Sequence, residues 1–240
     1  MTVEEQMARE GWRGMVYEGN HRLTDRGATR TTAAALTMLG LAAASWVVAL
    51  RRMDGMDMGV ATELGSLASF VALWVPMMAA MMLPGAVPAV SSFVRSDGRV
   101  LAAPLFAGSY LAVWTTVGLV VYAVYEPHGT AIAGVLIVAA GVYELTPLKR
   151  ACRRRCRESV GSGLEFGIYC VGSSLGLMVV LVALGVMGVA WMGVVAALIL
   201  AQKLARPRAV IDVPLALAIV AGGILVAVEP SSIPGVTPTM

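Results

Sequence analysis

The sequence predicts an all-α fold, a polytopic bundle of about seven transmembrane helices with the N-terminus inside the cell and the C-terminus outside. Three observations support this prediction. The 240-residue chain is 58% hydrophobic with a mean hydropathy of +0.78, only 14% of its residues are charged, and long apolar runs recur along it. Because soluble domains carry about 25% charged residues, the composition excludes an ordinary cytosolic globular protein.

The chain divides into an arm, a bundle and a tail. Residues 1–30 are polar and charged, too mixed in composition for a signal peptide, and we interpret them as a cytoplasmic arm. The bundle covers residues 31–228, and residues 229–240 form a short outer tail. Since a helix needs about 20 apolar residues to cross the bilayer core, the candidate spans are 31–50, 64–84, 101–125, 129–147, 164–184, 188–204 and 210–228.

The apolar stretch over residues 164–204 has about twice the length of one span. We therefore predict two helices here, joined by a tight turn near residues 185–188. The first of them begins with Gly163-x-x-x-Gly167, a spacing that lets another helix approach closely in a membrane.

The positive charges predict the orientation. With seven spans and the N-terminus in the cytoplasm, all of the 18 Lys and Arg residues except Arg51 and Arg52 fall in inner segments. Cytoplasmic loops collect Lys and Arg, so this orientation is favoured, in a bacterial plasma (inner) membrane. The net charge of +3 is too small to indicate a nucleic-acid partner, and membrane lipid is the expected surrounding.

Methionine is frequent, with 15 residues, and it is clustered in the first outer loop and on the second span. The clustered residues are Met53, Met56 and Met58 in the loop, and Met77, Met78, Met81 and Met82 on the span. Residues three and four apart share a helical face, and thioether sulfur suits Cu(I), so the pattern predicts contact with copper. Alternatively, the span methionines are apolar filler, and the loop packs on a partner subunit.

Two thiols lie in the basic segment at residues 149–157, where Cys152 and Cys156 are four residues apart. Neighbouring arginines favour the thiolate, the form that binds metals, and two thiolates can hold Cu(I) linearly. One interpretation is therefore a cytoplasmic point of metal transfer. The other is a positively charged anchor with two incidental thiols that also binds anionic lipid.

Two carboxylates, Glu144 and Asp212, lie near the inner ends of the fourth and seventh spans. An ionisable residue at membrane depth is a functional candidate, for example as a proton carrier; each residue alternatively pairs with a loop arginine. The sequence has only two His residues and no Gly-rich phosphate loop or nucleophile–base arrangement. We therefore predict that the protein is not an enzyme.

Three motifs follow one another between residues 31 and 205. They are Trp74-x-x-Met77-Met78-Ala79-Ala80-Met81-Met82-Leu83-Pro84, Tyr143-Glu144-Leu145-Thr146-Pro147-Leu148-Lys149-Arg150-x-Cys152-x-x-x-Cys156-Arg157, and Gly185-x-Met187-x-x-x-Trp191-Met192. In these motifs the chain resembles a bacterial family of predicted metal-binding integral membrane proteins, some of which are labelled copper chaperones. The resemblance implies copper handling, seven or so spans, and metal-site positions at Met77, Met78, Met81, Met82, Cys152 and Cys156.

One cluster departs from the family pattern. The family carries Cys-x-x-Cys-Cys-Trp on the fifth span, whereas this chain has Cys170 followed by Ser173, Ser174 and Leu175. Only Cys170 remains as a thiol of that cluster. Replacing two thiols by hydroxyls removes soft ligands, which weakens a cysteine-based copper site.

Three functions are therefore possible. The first is a membrane accessory protein that captures Cu(I) at the outer methionine loop, relays it along the second span, or delivers it to a membrane cuproenzyme. The second is a non-catalytic structural or assembly subunit of a larger membrane complex that has lost metal binding. A secondary transporter with Glu144 and Asp212 as proton carriers is a third.

Overall fold

The structure, a computed structural model, describes residues 3–54, 64–97, 102–158, 161–185, 188–205 and 209–230, with side chains from residue 28 onward except at 97, 209 and 210. Most of the described residues are helical and none of them lies in a strand, so the predicted all-α class is confirmed. The helices are α1 (Val3–Met53), α2 (Leu67–Asp97), α3 (Ala102–Val124), α4 (Thr130–Glu144), α5 (Pro147–Glu158), α6 (Gly163–Gly185), α7 (Val189–Leu204) and α8 (Ala209–Val228).

Helix α6 lies at the centre of the bundle, where it contacts α3, α4, α5 and α7. Helix α1 packs along α2, and α4 packs along α8. Large apolar side chains are exposed on the outer helices, for example Leu36 on α1, Val135 on α4 and Leu217 on α8. Aliphatic surface of this extent matches the hydrocarbon of a bilayer.

Five helices are long and apolar enough to cross a membrane, or six spans are counted if the bent pair of α4 and α5 crosses as one. This number, for the described part of the chain, is lower than the predicted seven. The difference comes from α7, whose 16 residues fall short of the roughly 20 that a span needs, and from α4, which ends before the bend.

The predicted division of the stretch 164–204 into two helices is confirmed. Helix α6 ends at Gly185, whose φ of +106° lies in a region that residues other than glycine rarely adopt. The backbone N–H of Gly188 donates a hydrogen bond of 3.1 Å to the carbonyl of Gly185, which closes the turn before α7.

Two helices extend beyond their predicted bounds. Helix α1 is continuous from Val3, and its apolar part runs over Ala28–Met53 without a break near residue 30. Helix α2 continues past the predicted end at residue 84 to Asp97, although three prolines lie within it. Proline removes a backbone donor, but membrane helices tolerate this where neighbouring groups satisfy the freed carbonyls. The extension places Pro88 and Gly85 beside α7.

The basic segment is a helix, α5, which turns away from α4 by 63°. The hydroxyl of Thr146 accepts a hydrogen bond of 3.3 Å from the backbone N–H of Lys149, and Pro147 occupies the first helical position. Both are favoured at a helix N-terminus. Because of the bend, α5 packs on α6 and brings its cysteines to that helix.

Small residues allow α6 to approach α3 closely, as the spacing of Gly163 and Gly167 predicts. A Cβ atom at Gly167 would lie 2.8 Å from a methyl carbon of Val113, and one at Gly163 would overlap the carbonyl of Phe106. The close approach places the middle of α3 directly against the first half of α6.

Candidate metal centre

Two thiols meet at the contact between α5 and α6. The side chains of Cys156 and Cys170 are close enough to interact, and their exposed fractions are 8% and 0%. The spacing in the sequence had predicted Cys152 as the partner of Cys156. Cys152 is half-buried and faces Gly172, where an added Cβ atom would lie 2.6 Å from the Cys152 sulfur. The bend before α5 creates the pair, because it lays this helix along α6.

Tyr110 from α3 contacts the thiol pair. Its hydroxyl lies 3.1 Å from the sulfur of Cys170, and its side chain is fully buried. The hydroxyl of Ser173 donates a hydrogen bond of 2.9 Å to the carbonyl of Cys170, and Ser173 lines the same cavity as Cys156. The thiols therefore have two hydroxyl-bearing residues, Tyr110 and Ser173, as neighbours.

Lys203, at the end of α7, brings a positive charge to the same place. Its Nζ atom lies 3.8 Å from the Sδ atom of Met82 and 3.3 Å from the hydroxyl of Tyr110. The Nζ atom also lies 5.8 Å from the ring centroids of Tyr110 and Phe166, a distance at which cations are attracted to aromatic rings. The alkyl part of the Lys203 side chain passes over Gly85 of α2, where an added Cβ atom would overlap it.

A cavity of about 220 Å³ adjoins the thiol of Cys156. Its walls come from α2, α5, α6 and α7 and include Pro88, Ser173 and Lys203. Arg157, which also lines the cavity, is exposed, so the cavity reaches the surface of the protein. Cys156 is therefore the member of the thiol pair that lines an opening to the surface.

The ligand types at this site favour a soft metal ion. Thiolate and thioether sulfur select Cu(I) over Mg²⁺ or Ca²⁺, and the thiolate is the form that binds. Structural zinc sites have four protein ligands, whereas no group of three or more His, Cys, Asp or Glu residues comes together in the described ranges. Two thiols with a nearby thioether therefore suit a monovalent soft ion of low coordination number.

The methionines of the second span have different surroundings. All four, Met77, Met78, Met81 and Met82, belong to the hydrophobic core and are at most 2% exposed, and Met82 also contacts Lys203 at the site. In the first loop, Met53 is the last residue of α1 and is only 1% exposed. Its burial differs from the expected position in an aqueous loop, and Met56 and Met58 lie outside the described residues.

Glu144 belongs to a buried polar network rather than to the thiol site. It forms an ion pair with Lys149 and accepts a hydrogen bond of 2.9 Å from the side-chain amide of Gln202. Lys149 also donates a hydrogen bond of 2.9 Å to Gln202. The other carboxylate oxygen of Glu144 has no hydrogen-bond partner and would contact a Cβ atom added at Gly176, at 2.6 Å.

Asp212 is paired with an arginine of α5. Arg153 donates a hydrogen bond of 2.7 Å to Asp212 and a second, through Nε, of 2.8 Å to the carbonyl of Gln202. Asp212 therefore pairs with an arginine of the basic segment, which was one of the two predicted alternatives. Glu144 pairs with a lysine of that segment instead of an arginine. The two pairs join α5 to α4, α7 and α8.

Two residues of the site, Tyr110 and Lys203, were not predicted as site residues from the sequence. Lys203 had a usable signal, since a lysine at the end of an apolar run is a functional candidate at membrane depth. Tyr110 had none, because a single tyrosine in an apolar helix is common.

A family model described as a copper chaperone, PpoB2, matches residues 71–226 of the chain. The matched region begins in α2 and ends in α8, so it includes all the residues of the thiol site. No curated protein and no solved structure shows significant similarity to the chain.

Proposed function

Because the chain belongs to the PpoB2 copper chaperone family, we propose that it is a non-catalytic protein of the bacterial inner membrane that holds Cu(I) between Cys156 and Cys170 and delivers it to a membrane cuproenzyme. The observation that carries this proposal is the proximity of the two thiols beside a cavity that Cys156 lines and that reaches the surface. Two thiolates satisfy Cu(I), and the ion would link α5 to α6.

The position of the thiol pair supports loading or release on the cytoplasmic side. Five arginines and a lysine surround Cys156 in the segment 149–157, and such segments remain in the cytoplasm. The end of α7 lies at the same site through Lys203, in agreement with an orientation in which that helix also ends inside. The N-in, C-out orientation is part of the proposal.

The methionines of α2 offer a path to the thiol pair from within the membrane. Met78 precedes Met82 by four residues and therefore lies one helical turn away on the same face, and Met81 lies beside them. Met82 contacts Lys203 at the site. In the proposed route, an ion captured by Met56 and Met58, which follow the buried Met53 in the sequence, passes these sulfurs before it reaches the thiols.

Copper content tests the proposal. The full chain, purified in detergent and loaded anaerobically with Cu(I), is expected to retain one copper per molecule after desalting. Cys156→Ser and Cys170→Ser should each lose this copper. Cys152→Ser is the matched control, because Cys152 faces Gly172 and not the thiol pair; it should keep the copper. Equal copper in all four proteins contradicts the assignment of the ligands.

An assembly subunit without metal is the second candidate. It is favoured by Ser173 and Ser174, which stand where the family pattern has cysteines, and by the buried ion pairs that tie α5 to its neighbours. If the wild-type protein retains no copper and co-purifies in fixed stoichiometry with other membrane subunits, this candidate replaces the first.

A further inference from the structure

Lys203 places a positive charge beside the thiol pair. Its Nζ atom lies 3.3 Å from the Tyr110 hydroxyl, which itself lies 3.1 Å from the Cys170 sulfur, and 3.8 Å from the Met82 sulfur. In the described part of the chain, Lys203 has no carboxylate within ion-pair distance, and the buried acidic residues of the neighbouring helices, Glu144 and Asp212, are paired with other cations.

The charges at the loaded site favour one class of metal ion. Two thiolates and one ammonium group sum to one negative charge, so a monovalent ion makes the site neutral, whereas a divalent ion leaves one positive charge in excess. Uncompensated charge is costly away from water. Of the other cations that line the cavity, Arg153 is paired with Asp212 and Arg157 is exposed, where solvent and salt screen its charge.

We propose that Lys203 is a specificity-determining residue that makes the thiol pair prefer Cu(I) to divalent thiophilic ions such as Zn²⁺. The proposal rests on the proposed function, since it assigns selectivity to the same site. Without this cation, two thiolates would accept a divalent ion as a neutral complex, and zinc binds cysteine readily. Lys203 removes that neutrality.

The surroundings of Lys203 hold its charge in place. The alkyl chain passes over Gly85, where no side chain fills the space. The ammonium group is attracted to the rings of Tyr110 and Phe166, which have exposed fractions of 0% and 2%. Because these groups come from α2, α3 and α6, the position of the charge is fixed by the same packing that brings the thiols together.

The affinities of the purified full chain for Cu(I) and for Zn²⁺ test the proposal, each measured in detergent by competition with a chromophoric chelator. In Lys203→Leu, the ratio of Zn²⁺ affinity to Cu(I) affinity should rise at least about tenfold, because a unit charge close to the bound ion acts through a low effective dielectric constant. Lys203→Gln should shift the ratio in the same direction. Lys203→Arg keeps the charge and should leave the ratio near the wild-type value.

Arg157→Leu is the control, since it removes a cation from the rim of the same cavity where water screens it. An unchanged ratio in both neutral Lys203 variants overturns the proposal, and so does an equal shift in Arg157→Leu. The proposed function has a separate failure: wild-type protein that binds no Cu(I). Wild-type protein that binds Cu(I), with Lys203 variants that show the same metal preference, leaves the proposed function intact and removes only the selectivity of Lys203.

Discussion

Arg153 on α5 donates a hydrogen bond of 2.7 Å to Asp212 on α8, a residue 59 positions away in the sequence. The arginine is 5% and the aspartate 8% exposed. Arg153 makes further hydrogen bonds to the carbonyls of Gln202 and Ala205, at 2.8 Å and 3.2 Å. One side chain therefore fixes the basic helix against both α7 and α8, and this helix carries Cys156.

The first prediction follows from this pair. Asp212→Asn leaves the charge of Arg153 buried without its partner, and breaking such a pair costs about 3 kcal/mol of unfolding free energy. A denaturant titration of the purified protein in micelles, followed by circular dichroism, measures this value.

The double variant Arg153→Met/Asp212→Leu should be more stable than Asp212→Asn, since no unpaired charge remains. Asp54→Asn, at an exposed position, is the control, and an equal loss there would contradict the explanation.

The second prediction concerns the close contact between α4 and α8. A Cβ atom at Gly223 would lie 2.8 Å from the backbone nitrogen of Val138 and 2.9 Å from the carbonyl oxygen of Gly134. Backbone atoms cannot move away by a side-chain rotation, so Gly223→Ala should force the helices apart and lower the free energy of unfolding by about 1–3 kcal/mol. The same titration measures it.

The neighbouring glycine provides a matched control for this change. An added Cβ atom at Gly222 meets no atom within 4 Å, and alanine favours the helix more than glycine by up to about 1 kcal/mol. Gly222→Ala should therefore be neutral or slightly stabilising. If both variants lose the same stability, helix packing at Gly223 is not the cause.

Much of the helical framework is predictable from the sequence, because long apolar runs indicate the segments that lie in the membrane as helices. The turn after α6 was predicted from its length and glycines, and Gly185 indeed has a positive φ. The continuation of α2 past Pro84 to Asp97 was not predictable, since proline ordinarily ends a helix and only neighbouring helices compensate for its missing donor.

The thiol site was predicted less well, for a physical reason. The spacing of Cys152 and Cys156 is a local signal, and a local signal favours pairing within one helix. The observed partner, Cys170, meets Cys156 only because α5 bends by 63° from α4 and packs on α6. The contribution of Lys203 depends on a third helix, α7. Such contacts follow from tertiary packing and leave no periodic pattern in the sequence.

The third prediction addresses the missing cysteines of the fifth span. Ser173, a residue 5% exposed, lines the same cavity as Cys156. Ser173→Cys would place a third soft ligand beside the pair, so the affinity for Cu(I) should rise about tenfold. Chelator competition measures it. Ser96→Cys adds a thiol at an exposed position on α2 and should not change the affinity; a similar gain there would show that any additional thiol suffices.

The fourth prediction concerns the orientation, on which the direction of copper transfer depends. From its positive charge we expect α5 to lie in the cytoplasm, and α4 separates this helix from the turn at residues 125–129. In a protein whose three cysteines are changed to serine, Glu126→Cys should react with a membrane-impermeant maleimide in intact spheroplasts. Arg154→Cys should react only after permeabilisation.

Both new cysteines replace exposed residues, so access to the reagent depends on the side of the membrane, and the cysteine-free protein gives the background. The reverse pattern would place the thiol pair on the outer side, and copper would then be received at Cys156 and Cys170 from outside the cell.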